Sequence, residues 1–232
     1  MKIIVLCGGK GMRLKPITDN IPKPMVDLNG KPVLEHILQM FKQHGHNDFI
    51  LAIGYKGEVI KDYFKDKPEY NIEYSDAGDV SMLERIKFAS QGLKDVFMVV
   101  YGDTIANVNI NLLCETHITR EAWLTITTYP MQSPFGIVKS NKKHNIIDFE
   151  EKPFLDQWIN IGFMVFDPII FVPPFLPIES DLVKLFKGLI GSGNFYEHRH
   201  KGKHITINTL KEMKKAENDI KYFYTVDGGI NK

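Results

Sequence analysis

The chain has 232 residues, 44% of them hydrophobic, enough for one sizeable core in a single α/β domain. Its 29 Lys and Arg nearly balance its 28 Asp and Glu. No overall field invites nucleic acid, and any phosphate binding must come from local placement of charge. Two cysteines far apart in sequence, Cys7 and Cys114, argue against a disulfide framework and for a reduced cytoplasm. The apolar run after Lys2 is too short for a signal peptide, and no run approaches the ~18 residues that span a membrane.

Lys2 to Cys7 is a β-branched run closed by Gly8-Gly9, which reads as a strand entering a glycine loop. Apolar residues at Val33, Leu34, Ile37, Leu38 and Phe41 predict a helix over 32–43, with Pro32 in its first turn and Gly45 past its end. A strand over 48–53, a helix over 58–64, a strand over 71–74, a helix over 81–91 and an apolar strand over 96–101 follow. Alternation at this spacing predicts a parallel sheet with helices on both faces, whose continuous apolar strands are buried on both sides.

The second half changes character. Strands are expected over 123–129, 136–139, 145–149 and 159–166, with little helix between them, as a mixed or antiparallel extension of the sheet. A proline-rich loop over 172–177, a helix over 182–190, a strand over 195–198 and a helix over 210–220 complete the chain, with the last dozen residues as a tail. The expectation is one domain over 1–232. Its first half is expected over about 1–105 and its second over about 106–220.

Leu6-Cys7-Gly8-Gly9-Lys10-Gly11-Met12-Arg13-Leu14, followed by Pro22-Lys23-Pro24-Met25, carries the most chemistry. A glycine loop directly after a parallel strand lies at the carboxyl edge of the sheet, where ligands bind, and lets backbone N–H groups approach phosphate oxygens. Arg13 adds a fork for phosphate, and Lys23 is a point charge on a stiff segment. No Lys-Ser or Lys-Thr follows at P-loop spacing, and Leu14 stands where a dinucleotide loop needs its last glycine. A tight turn beside an unrelated Arg and Lys is the plain alternative.

These residues resemble the signature of sugar-phosphate nucleotidyltransferases, most closely the glucose-1-phosphate cytidylyltransferase branch. The resemblance continues through Gly30-Lys31-Pro32-Val33-Leu34, Gly54-Tyr55-Lys56-Gly57-Glu58, Asp76-Ala77-Gly78 with Arg85, and Tyr101-Gly102-Asp103. It extends to Phe135-Gly136, Glu150-Glu151-Lys152-Pro153, Trp158-Ile159-Asn160 and, more weakly, Asn208-Thr209-Leu210. It implies a Rossmann-like, mixed but mainly parallel sheet of the nucleotide-diphospho-sugar transferase type. The implied reaction joins a nucleoside triphosphate, with CTP preferred, to a sugar 1-phosphate and releases pyrophosphate. A homo-oligomer is compatible with that reading.

The resemblance also assigns roles. Leu6, Gly8, Gly9, Gly11 and Met12 would wrap the nucleotide together with Arg13, Lys23, Arg85 and Gly102. Arg13, Lys23 and Asp103 would be catalytic. Asp103 would bind Mg²⁺, an ion suited to one or two carboxylates plus substrate phosphates. Asn208 stands where the family usually has a second metal carboxylate, and Met12 where it usually has Thr. Gly136, Glu151, Lys152, Asn160 and Gly162 would hold the acceptor, with Ile161 in place of a usual glycine. Arg85 read without the resemblance is a solvated helix charge. His198, His200 and His204 alternate, so they form either a polar strand edge near the site or a zinc triad. Other acceptors, other bases, or a regulator that binds without turnover are the alternative functions.

Overall fold

The computed structural model describes residues 1–172 and 181–223. Its first half contains β1 (Ile3–Leu6), the ribbon β2 (Asp27–Leu28) and β3 (Lys31–Pro32), α1 (Val33–Gln43), β4 (Asp48–Ile53) and α2 (Gly57–Phe64). These are followed by β5 (Asn71–Asp76), α3 (Met82–Ala89), β6 (Phe97–Tyr101), β7 (Thr104–Ala106) and α4 (Ile110–Thr119). The second half adds β8 (Leu124–Gln132), β9 (Ile137–Ser140), β10 (Ile146–Glu150), β11 (Phe154–Phe166), α5 (Leu182–Leu189), β12 (Phe195–Arg199), β13 (His204–Thr206) and α6 (Leu210–Asp219).

Seven strands form the main sheet in the order β12-β8-β11-β6-β1-β4-β5. β11 pairs antiparallel with β6 and β8, and the other pairings are parallel, so the sheet is mixed and mainly parallel as expected. Helices cover both faces. Val33, Leu34, Ile37, Leu38 and Phe41 make one stripe of α1, packed in a core with Ile3, Val5 and Val100. On the opposite face, Leu83 and Ile86 of α3 and Leu185 of α5 pack with Ile4, Val99 and Met164. Covering on both faces is why β1, β4 and β6 read as unbroken apolar runs. Full burial of a side chain such as Phe41 or Phe49 contributes about 1.5–3 kcal/mol.

The order of strands positions the site. From β1 the chain adds β4 and then β5 on one side, and returns to place β6 on the other. That reversal opens a crevice at the carboxyl ends of β1 and β6, where open α/β sheets bind ligands. The loop after β1 carries Gly8, and the turn after β6 carries Asp103.

Most expected elements occur within two or three residues of their expected bounds. Several do not. Pro32 precedes α1 and pairs in the β2–β3 ribbon instead of opening the helix. α4 was not anticipated, because its apolar residues do not gather on one face: Ile110 and Leu113 are buried while Leu112 and Ile118 are exposed. β11 begins at Phe154, five residues earlier than the apolar pattern suggests, since its first half is mostly exposed and pairs with β8. β7 and β13 are too short to announce themselves and exist through their mutual pairing. Most of the proline-rich 172–177 tract and the tail beyond 223 lie outside the described residues. Both cysteines are free, with Cys7 buried. Among the described residues, no helix is long and apolar enough to cross a membrane.

Candidate active site

The glycine loop is a rigid turn. Gly11 has φ +61, a left-handed conformation that a side chain would strain. The Gly11 carbonyl accepts from the Thr18 hydroxyl at 2.9 Å. Arg13 lies on the short 3₁₀ turn Met12–Leu14, which Leu14 anchors in the core. Lys23 opens a second such turn, Lys23–Met25, pinned by the buried Pro24 and Met25. Each cation therefore rides on a segment whose next residues are fixed by hydrophobic burial.

Asp103 and Asn208 meet through backbone pairing. Asp103 sits between β6 and β7, and β7 pairs antiparallel with β13. One residue past that ladder, the Ile207 N–H donates to the Asp103 carbonyl at 3.3 Å. Asn208 is thereby delivered beside Asp103. Thr209 caps α6 by accepting from Glu212 N–H, and Glu212 in turn accepts from Asn208 N–H at 2.8 Å. The Lys23 ammonium donates to Asp103 Oδ2 and, at 2.9 Å, to Asn208 Oδ1. Arg13 Nη2 donates to the same Asn208 oxygen at 2.9 Å. Four chain-distant side chains thus close on one point at the end of the glycine loop.

They border a cavity of about 660 Å³, within the usual range for a small-molecule site. Leu6, Gly8, Gly9, Arg13, Lys23, Arg85 and Gly102 all line it. Gly11 and Met12 line an adjoining hollow of about 250 Å³ that shares Arg13, Lys23, Asp103 and Asn208. All nine expected nucleotide residues are therefore brought to one place. Arg85 is not a solvated helix charge. A capping box between Ser81 and Glu84 starts α3, and the next residue, Arg85, is only 7% exposed. Its guanidinium donates to the carbonyls of Ile53 and, at 2.7 Å, Gly78. Burial holds the Cys7 thiol protonated by pushing its pKa up, against the pull of Arg85.

The expected acceptor residues divide. Asn160 lines the cavity, accepts from Gly162 N–H at 2.9 Å and approaches the Tyr101 hydroxyl at 3.4 Å. Gly162 backs onto the Tyr101 ring. Gly136, Glu151 and Lys152 instead cluster at the root of the β9–β10 hairpin, with the Lys152 ammonium 3.3 Å from Glu151, and do not line the cavity. Ile161 both lines the cavity and packs in the core. Lys10, Asp79, Val80, Tyr101, Ile159, His204 and Thr206 also line the cavity and were not singled out for it. Only the Ser81-x-x-Glu84 helix start could have flagged the loop bearing Asp79 and Val80.

The histidines do not form a metal site. Among the described residues no group of three His, Cys, Asp or Glu is placed to hold a metal. His204 instead lies against the Tyr129 ring, 4.8 Å between centroids, and burial pushes its pKa down to about 4. His200 sits opposite the Lys203 carbonyl at 3.1 Å. A polar edge near the site is the reading that the structure supports.

The model of the nucleotidyl transferase family matches residues 2–176. A Bacillus subtilis (strain 168) protein named "Probable glucose-1-phosphate cytidylyltransferase" is 34% identical, over 92% of this chain and 93% of its own. A D-glycero-alpha-D-manno-heptose 1-phosphate guanylyltransferase of Campylobacter jejuni is 37% identical over 70% of this chain and 73% of its own. The structure of HddC from Yersinia pseudotuberculosis complexed with GMP-PN superposes with a TM-score of 0.69, covering 94% of this chain and 98% of that one at 22% identity. The last likeness concerns the fold alone. With the glycine loop, the paired cations and the crevice at the sheet's reversal already in place, the sequence matches complete the assignment: this chain belongs to the nucleotidyl transferase family, among the sugar-1-phosphate nucleotidyltransferases.

Proposed function

We propose that this chain transfers a nucleotidyl group from CTP, in preference to other nucleoside triphosphates, to a sugar 1-phosphate. The observation that carries the reading is the convergence of Arg13, Lys23, Asp103 and Asn208 beside the glycine loop. An oxygen of the acceptor phosphate bonds to the α-phosphorus in line. The bond from that phosphorus to the bridging oxygen breaks, and its electron pair leaves with pyrophosphate. No protein nucleophile is needed, so catalysis is positioning and charge neutralisation.

In this reading Gly8, Gly9 and Gly11 present backbone N–H groups to the triphosphate. Arg13 offsets charge on the departing pyrophosphate, and Lys23 holds the α-phosphate. The donor set suits Mg²⁺, because a carboxylate and an amide oxygen already converge on a single cation, the Lys23 ammonium. Asp103 and Asn208 would hold that ion, whose charge offsets that of the phosphates. Asn160 meets the acceptor inside the cavity. Glu151 and Lys152 meet acceptor groups that extend past its rim toward the β9–β10 hairpin.

CTP as donor is supported by the motif resemblance and by the name of the Bacillus subtilis relative. Arg85 narrows the base without choosing CTP: it lines the cavity, two of its bonds go to the Ile53 and Gly78 carbonyls, and its remaining N–H donors suit any base with a carbonyl, whether cytosine, uracil, thymine or guanine. The test is pyrophosphate release with CTP, GTP, UTP and dTTP, each paired with a panel of sugar 1-phosphates. The highest kcat/KM is expected with CTP. A different preferred triphosphate overturns the donor assignment. Nucleotide binding without release from any pair would favour a regulator, a reading that Asn208 at the metal position motivates.

A further inference from the structure

Asn208 Oδ1 accepts from two cations, Lys23 Nζ and Arg13 Nη2, each at 2.9 Å. An amide oxygen has two lone pairs, so these two bonds use its whole capacity. Asp103 is partly engaged, with Oδ2 on Lys23 and Oδ1 accepting from the Thr104 hydroxyl at 3.2 Å. Lys23 is well enclosed, its side chain 12% exposed, and its ammonium occupies the point between the Asp103 and Asn208 oxygens that a shared divalent ion would need. The charges add to the exclusion. Arg13, Lys23 and Asp103 sum to a net positive cluster, because residue 208 is neutral.

We infer that Asn208 is a positioning residue: its amide oxygen holds Lys23 and Arg13 in the place of a divalent ion, so that metal enters this site only together with the triphosphate. The inference rests on the nucleotidyl-transfer reading and deepens it. A triphosphate offers Lys23 and Arg13 new anionic acceptors. Their departure frees both lone pairs of Asn208 Oδ1, and Oδ2 of Asp103, for the ion that accompanies the nucleotide. A carboxylate at position 208 would not impose this order. It has about four acceptor sites and would lower the cluster's positive charge, so it could keep both side chains and still ligate metal.

Mn²⁺ serves as the probe, read by its electron paramagnetic resonance signal, with thermal unfolding as the control for fold. Wild-type protein without nucleotide should bind Mn²⁺ weakly and take it up when CTP is added. Asn208→Asp should bind Mn²⁺ without nucleotide at least roughly tenfold more tightly, because its added carboxylate attracts the ion. Lys23→Met, which releases Asp103 and one lone pair of Asn208, should do the same. Asn208→Asp should also bind metal-free CTP more weakly than wild type, because the added carboxylate repels the triphosphate. Equal Mn²⁺ affinity in wild type and both variants, with CTP still binding, overturns this inference alone. Failure of wild type to bind any of the four triphosphates overturns the nucleotidyl-transfer reading as well.

Discussion

The guanidinium of Arg85 lies directly against the backbone of Gly8. A Cβ at position 8 would stand 2.5 Å from Arg85 Cζ, closer than packed atoms allow. The same guanidinium spans the carbonyls of Ile53 and Gly78, so one side chain ties together the loops after β1 and β4 and the turn before α3. Gly8→Ala must displace Arg85. The expected outcome is a stability loss of about 1–3 kcal/mol in denaturant unfolding, with weaker nucleotide binding by calorimetry. In the double variant with Arg85→Ala the two effects should fall short of adding, by about 0.5–3 kcal/mol.

Lys23→Ala and Asp103→Ala each remove half of the ion pair at the phosphate end of the cavity. Each is expected to lower kcat for pyrophosphate release by at least about a hundredfold, the scale of losing one preorganised charge contact. Circular dichroism should stay native, because neither side chain belongs to the hydrophobic core. Near-normal rates in both variants would refute the roles given to these residues.

His117 predicts a pH dependence of stability. It is 1% exposed, its Nδ1 lies 3.0 Å from the Thr125 hydroxyl, and burial pushes its pKa down to about 4. Between pH 6.5 and about 4 the unfolded chain binds this proton and the folded chain does not, so stability falls as pH falls across that window. The loss is complete once both states are protonated, and is on the order of 3 kcal/mol for this residue. His204, pushed down to about 4 by burial, acts in the same direction. Urea unfolding followed from about pH 7 down to about pH 4.5 measures the slope, and His117→Gln should flatten it.

Ile161 stands where the cavity and the core meet, 3% exposed. Ile161→Ala is expected to cost about 2–5 kcal/mol in denaturant unfolding, the sum of lost burial and residual cavity. It should also change KM for the sugar 1-phosphate more than KM for the triphosphate, because its neighbours Ile159 and Asn160 line the cavity where the acceptor is proposed to sit. Equal shifts in both constants would remove Ile161 from the acceptor site.

The nucleotide loop was legible because its residues are neighbours in sequence. Gly8, Gly9, Gly11 and Arg13 sit on one turn, and the strand before them is marked by an unbroken β-branched run. Arg85 was ambiguous. A charged residue on a helix is usually solvated, and nothing local in Leu83-Glu84-Arg85-Ile86 shows that Gly8 leaves room for a guanidinium. Glu151 and Lys152 were expected in the acceptor pocket by motif. Pairing of β11 with β8 carries them away from Asn160 toward the β9–β10 hairpin.

The alternating strands and helices, the glycine loop and the two anchored cations were determined by the sequence itself. Each follows from local periodicity or from a turn chemistry confined to a few residues. The resemblance already put Asn208 at the metal position with Asp103; tertiary structure alone decided how the two are brought together, that the Asn208 oxygen serves Lys23 and Arg13 together, and that Arg85 is buried. The physical reason is that β7 and β13 are too short to be specified by their own pattern. They form only when the folded chain brings residues about a hundred positions apart into register, where backbone hydrogen bonds and burial repay the entropy of closing so long a loop.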